Sequence, residues 1–80
     1  MSDKNAAILE ISQTASKFTS SIVLQYDNKY IDVKSILGLF TTLVDDGSFV
    51  LHVHGPDATA AATAVAAAFE KHGLKVTVSA

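Results

Sequence analysis

Ser35 is the residue best placed for chemistry in this 80-residue chain, within Asp32-Val33-Lys34-Ser35-Ile36-Leu37-Gly38-Leu39-Phe40. The spacing predicts a short strand that ends on a serine capping an amphipathic helix. Orphan N–H groups and the helix dipole favour negative charge at such a start. Capping alone accounts for the serine, and a phosphate on its hydroxyl would also be stabilised there, giving a switch. His52 and His54 stand two apart on a predicted strand, so both face one side. Such a pair is a candidate zinc or copper ligand set, but structural zinc takes four ligands, and Asp32 or Tyr30 could add one only if the strands align. Exposed sheet-face histidines are the simpler reading, and no metal is expected. His72 falls in the last turn of a predicted helix, where a partly charged imidazole suits the dipole. Lys4 opens the first helix, as a solvated lysine or as an anion attractor with the free N–H groups. Asp45-Asp46 beside Gly47 reads as turn chemistry rather than a catalytic carboxylate pair.

Composition excludes several functions. The net charge of −2 gives no basic surface for nucleic acid or anionic lipid. All six cations are lysines, so no guanidinium can grip phosphate in a bidentate fashion. Without cysteine there are no disulfides, thiolate metal sites or thiol catalysis. No apolar run approaches the ~20 residues of a membrane span. There is no Gly-rich phosphate loop and no nucleophile elbow. A cytoplasmic protein without cofactor is expected, with one domain over residues 1–80 and about half its residues apolar.

The elements that must position these residues follow from periodicity. Ser2 and Asp3 are cap candidates for a helix over 4–17, with Ile8, Ile11, Ala15 and Phe18 on one side. Thr19-Ser20-Ser21 breaks it. Alternation predicts strands over 21–26 and 29–34 around an Asp27-Asn28 turn, whose residues tolerate positive φ. A helix over 35–43 carries Ile36, Leu39, Phe40 and Leu43 on one face. These with Leu37 are more apolar residues than can all face inward, and Leu37 is expected near the surface. Strand 48–54 ends at Gly55-Pro56-Asp57, where Asp57 should cap an alanine-rich helix over 58–72. Val65 and Phe69 fix that helix's buried side, and Gly73 suits its C′ position. A last strand runs over 74–79. The order α-β-β-α-β-α-β predicts an α+β open-faced sandwich, a four-stranded sheet with helices on one face. Val23, Gln25, Tyr30, Asp32, Val50, His52 and His54 should lie on the other face.

Gln13-Thr14-Ala15-Ser16-Lys17-Phe18, the Ser21–Val33 hairpin, Lys34-Ser35-Ile36-Leu37-Gly38 and the Gly55-Pro56-Asp57 turn resemble the HPr family over roughly residues 4–74. These are histidine phosphocarriers of the bacterial phosphoenolpyruvate–sugar phosphotransferase system. The resemblance implies an HPr-like fold. It also implies that Ser35 corresponds to the serine that an HPr kinase phosphorylates in Gram-positive members, whose phosphorylated form binds a transcriptional repressor. In the family the helix that follows this serine docks protein partners, which here makes Ile36, Leu37, Leu39 and Phe40 partner-binding candidates.

Two departures qualify the resemblance. Counting back from Gln13-Thr14-Ala15-Ser16-Lys17, the family's phosphoryl-accepting histidine falls on Lys4, its arginine on Ala6 and its proline on Ala7. A lysine ammonium is no acceptor in this chemistry, so histidine phosphotransfer by the family mechanism is not expected. The family's opening strand is also missing. Lys75-Val76-Thr77-Val78 has its composition and is expected to fill the vacant place beside 48–54, but parallel to it, because a right-handed crossover reverses the direction. Were it not to dock in its own molecule, strand exchange or edge pairing into a homodimer would cover the exposed edge. The expected function is therefore an HPr-like regulatory or protein-interaction module. The alternatives are a phosphocarrier with a non-family acceptor and a structural subunit of a larger assembly.

Overall fold

A computed structural model describes residues 4–43 and 48–79. The predicted Ser2 and Asp3 caps and the Asp45-Asp46-Gly47 turn lie outside the described residues. The elements are α1 (Lys4–Ser16), β1 (Ser21–Tyr26), β2 (Lys29–Asp32), α2 (Ile36–Thr42), β3 (Ser48–His54), α3 (Ala58–Lys71) and β4 (Lys75–Ser79). The strands form one sheet in the order β2-β1-β3-β4. β1 pairs antiparallel with β2 and β3, whereas β4 runs parallel to β3. The parallel direction is the one the helical crossover through α3 demands. β4 docks on β3 of its own chain, so the condition that would have forced strand exchange is not met.

The expected return strand is two residues too long. Val33 and Lys34 turn out of β2, and the Val33 amide still donates to the Ile22 carbonyl at 3.0 Å. The cause is local: the Asp32 side chain accepts the Lys34 amide at 2.9 Å and the Asp32 carbonyl accepts the Ser35 amide at 2.9 Å, closing a turn. In the first hairpin, Asp27 takes the positive φ of 55°.

Period-2 alternation sends Ile22, Leu24, Phe49 and Leu51 to the helix side of the sheet, where all four are buried. Ile8 and Ile11 of α1 and Val65 and Phe69 of α3 meet them. Each such side chain stabilises the fold by about 1.5–3 kcal/mol. The rings of Phe49 and Phe69 lie 6.2 Å apart and tilted at 42°. Ala7, Ala15, Ala61 and Ala68 are buried, which lets α1 and α3 approach each other, and α3 the sheet, closely. α3 ends as its sequence requires. Gly73, at φ 76°, donates to the Glu70 carbonyl and Leu74 to the Phe69 carbonyl, both at 3.0 Å. This is a Schellman closure, with buried Leu74 as its apolar contact.

Candidate functional site

Ser35 sits where β2 hands over to α2. Its backbone is extended (φ −93°, ψ 111°) and its Oγ accepts the Gly38 amide at 3.1 Å. Its carbonyl accepts the Leu39 amide at 3.1 Å, the first bond of the helix. This is the N-cap that the sequence predicted. The hydroxyl is half-buried, and it shares the junction with the Asp32 carboxylate that holds the Lys34 amide.

α2 does not bury the stripe its spacing suggested. Leu39, Thr42 and Leu43 are buried, but Ile36 is 41% and Phe40 43% exposed. Leu37 is 78% exposed, as expected for a surface position. Leu39, a partner-binding candidate in the sequence, is therefore a core residue. The reason is length: a seven-residue helix lying against β2 and α1 covers one narrow stripe and leaves the residues on its flanks in water. The result is an apolar surface of Ile36, Leu37 and Phe40.

Lys4 is exposed, and its ammonium also reaches a neighbouring helix. Its Nζ donates to the Phe40 carbonyl at 3.2 Å, which ties the first turn of α1 to the C-terminal part of α2. A cation there suits the negative end of that short helix. Ala6, two residues on, has a methyl side chain where a guanidinium would stand in the family. A second lysine repeats the device: Lys34 Nζ donates to the Phe18 carbonyl just past α1 at 2.8 Å, and Ser12 Oγ returns a bond to the Lys34 carbonyl at 3.2 Å. Lysines thus lock α1, α2 and the Ser35 junction together.

Asp57 occupies the N-cap position of α3, but its side chain makes no capping bond. Its carboxylate instead reaches the loop between α1 and β1. Oδ1 accepts the Ser20 amide at 2.9 Å and the Ser20 hydroxyl; Oδ2 accepts the Thr19 amide at 3.0 Å. The Ser20 Oγ in turn accepts the Asp57 amide at 3.2 Å. The Ser20 hydroxyl first, and then the Thr19 amide, hold this carboxyl at about 2 rather than its ordinary 3.8. The clamp requires the two chain segments to touch. Gly55 has φ 145°, and a Cβ there would lie 2.7 Å from the Ser20 Cα. Thr19-Ser20, a helix breaker by its sequence, has this second role that local spacing does not announce. The only available signal was a run of hydroxyl residues, and its partner lies 37 residues away.

The histidines are separated. His52 and His54 share the open face with Val23, Gln25, Tyr30 and Asp32, as the register of β1, β2 and β3 dictates. His52 Nε2 bonds to the Gln25 Oε1 at 2.8 Å, and its ring lies 6.3 Å from that of Tyr30. Neither Asp32 nor Tyr30 joins the two histidines into a ligand set: among the described residues, no three His, Asp or Glu groups converge on a common point. His72 closes α3, with Nε2 2.9 Å from Glu10, which also pairs with Lys71 at 3.2 Å. The His72 bond, followed by that of Lys71, lowers the Glu10 carboxyl below its ordinary 4.5. Among the described residues, no histidine stands at the first turn of a helix, where the dipole and N-terminal amides would steady a phosphoryl group.

The PTS-HPr family model, described as the PTS HPr component phosphorylation site, matches residues 5–71. Three solved structures resemble the chain closely. The catabolite repression containing protein Crh of Bacillus subtilis, which forms a swapped dimer, is 28% identical at a TM-score of 0.75, covering 82% of this chain and 77% of its own. The HPr dimer of Thermoanaerobacter tengcongensis is 34% identical at a TM-score of 0.75, covering 84% and 77%. The phosphocarrier protein HPr of Bacillus anthracis is 32% identical at a TM-score of 0.66, covering 82% and 77%.

Proposed function

This chain belongs to the HPr family of the phosphotransferase system, and on that basis we propose that it acts as a regulatory or protein-interaction module that carries no phosphate on histidine. The observation that carries the reading is Lys4. At the position the family gives to its phosphoryl acceptor, this chain has an ammonium group engaged with the Phe40 carbonyl, and at the arginine position it has Ala6. An ammonium has no lone pair with which to attack phosphorus.

What remains is the capping serine beside an apolar surface. Phosphorylation of Ser35 by an HPr kinase is the proposed control: the γ-phosphoryl group of ATP passes to Oγ, the hydroxyl proton leaves, and ADP departs. The added dianion would stand beside the Gly38 amide at the start of α2 and the neighbouring Asp32 carboxylate, and would alter the surface of Ile36, Leu37 and Phe40 that a partner meets. Protein partners fit this surface; the net negative charge does not suit nucleic acid or anionic membrane.

The test is incubation with HPr kinase and ATP. Label on Ser35 that is lost in Ser35→Ala supports the reading, and an unlabelled protein or undiminished labelling of Ser35→Ala refutes the switch. A phosphocarrier using another acceptor is the competing reading. Phosphoenolpyruvate with the upstream phosphotransferase would then yield acid-labile phosphohistidine, and its absence removes that alternative. The dimers of the Crh and Thermoanaerobacter proteins favour a further element, that this chain also associates with itself.

A further inference from the structure

We propose that this chain dimerises by antiparallel pairing of the outer edge of β4 with the same edge of a second copy. The inference rests on the self-association reading and names its surface and register. β4 stands at the end of the sheet, and among the described residues no strand lies beyond it. An edge of this kind presents backbone groups that can pair with another strand.

The two sheet edges differ. β2, Lys29-Tyr30-Ile31-Asp32, is four residues long and charged at both ends, features that discourage pairing. β4, Lys75-Val76-Thr77-Val78-Ser79, carries one charge at its start and is otherwise neutral, with a β-branched run over Val76, Thr77 and Val78. Val78 points to the helix side of the sheet yet is 42% exposed. It borders a groove of about 380 Å³ between the edge and α3, whose apolar wall includes Val53, Ala62 and Ala66.

The occupant follows from the strand itself. An antiparallel pair centred on Thr77 places Val76 of each copy against Val78 of the other and Lys75 against Ser79. No like charges then face each other, and the partner's valines extend the apolar face over the groove. The contact is isologous and closes at two copies. Pairing β4 with the β2 edge of a neighbour would be head-to-tail, would set Lys75 near Lys29 or Asp32 according to register, and would propagate into filaments.

The experiment is sedimentation velocity over a concentration series on the full chain, together with Val78→Lys and, as a control on the other exposed apolar surface, Leu37→Lys. Both sites are exposed, and circular dichroism checks that both variants fold. A dimer whose dissociation constant rises by at least about tenfold in Val78→Lys and is unchanged in Leu37→Lys is the expected result, because the substitution puts an ammonium into an apolar contact. A dimer broken by Leu37→Lys and indifferent to Val78→Lys overturns the β4 edge while leaving self-association standing. A wild-type monomer at every concentration overturns both. Amide exchange on the wild type gives an independent reading: β4 amides gain protection as concentration rises if the edge pairs, and keep constant protection if it does not.

Discussion

Asp57 and Ser20 bind each other in both directions: the carboxylate accepts from the Ser20 amide and hydroxyl, and the Ser20 Oγ accepts the Asp57 amide. The pair fastens the start of α3 to the loop that leads out of α1. It thereby fixes the angle at which α3 leaves the sheet, and with it the position of β4. Because the carboxyl titrates near 2 instead of 3.8, its contribution is complete above pH 3.8 and is lost as pH falls toward 2. Asp57→Asn keeps the shape and removes the charge. It should be less stable than wild type at neutral pH, and the difference should close over that acid window. Urea unfolding midpoints at a series of pH values check this; a difference that persists unchanged at pH 2 would contradict it.

Gly55→Ala tests the close approach behind the same clamp. The methyl group would require φ 145° of an L-residue and would press on the Ser20 backbone. Strain at such a φ costs about 1–3 kcal/mol, and the steric contact adds to it. Chemical denaturation should show a loss at the upper end of that range. Gly73→Ala, also at positive φ but with open space around its Cβ position, should lose less.

Ser35→Ala removes the Oγ that accepts the Gly38 amide and should lower stability by about 1 kcal/mol. Ser35→Asp should retain most of the cap, because a carboxylate oxygen can accept the same amide. The prediction concerns folding alone and is read by thermal or urea unfolding, whatever a kinase does at this position.

The elements that matched their sequence signals are those whose signal is local. Ser35 three residues before Gly38, Gly73 after Phe69-Glu70-Lys71-His72, and the alternation of Phe49, Leu51 and Val53 each specify a bond or a face within a few residues. The parallel direction of β4 was also legible, since it follows from chain direction and crossover handedness. What could not be read were contacts set by the packing of distant segments. Asp57 has the residue type and position of a cap, but two amides and two hydroxyls from the α1–β1 loop compete for its carboxylate and win. Lys4 is exposed, as its sequence suggests, but nothing local announces the Phe40 carbonyl that α2 brings within reach of its Nζ. Leu39 and Leu37 are equally apolar, and only the docking of α2 on β2 and α1 decides which one is buried.

That last pair allows folding and docking to be separated. Leu39 is fully buried, so Leu39→Ala leaves a cavity and should destabilise the protein by about 2–5 kcal/mol. Leu37 is 78% exposed two residues earlier on the same helix, so Leu37→Glu should change stability by no more than about 0.5 kcal/mol. If α2 is the surface that partners meet, Leu37→Glu should nevertheless abolish capture of a partner by the folded protein, and Phe40→Ala should weaken it. Unfolding curves and titration calorimetry on the same samples check both halves. A Leu37→Glu protein that is stable and still binds with wild-type affinity would show that the exposed apolar surface of α2 is not the docking site, because a carboxylate cannot sit in an apolar contact without loss.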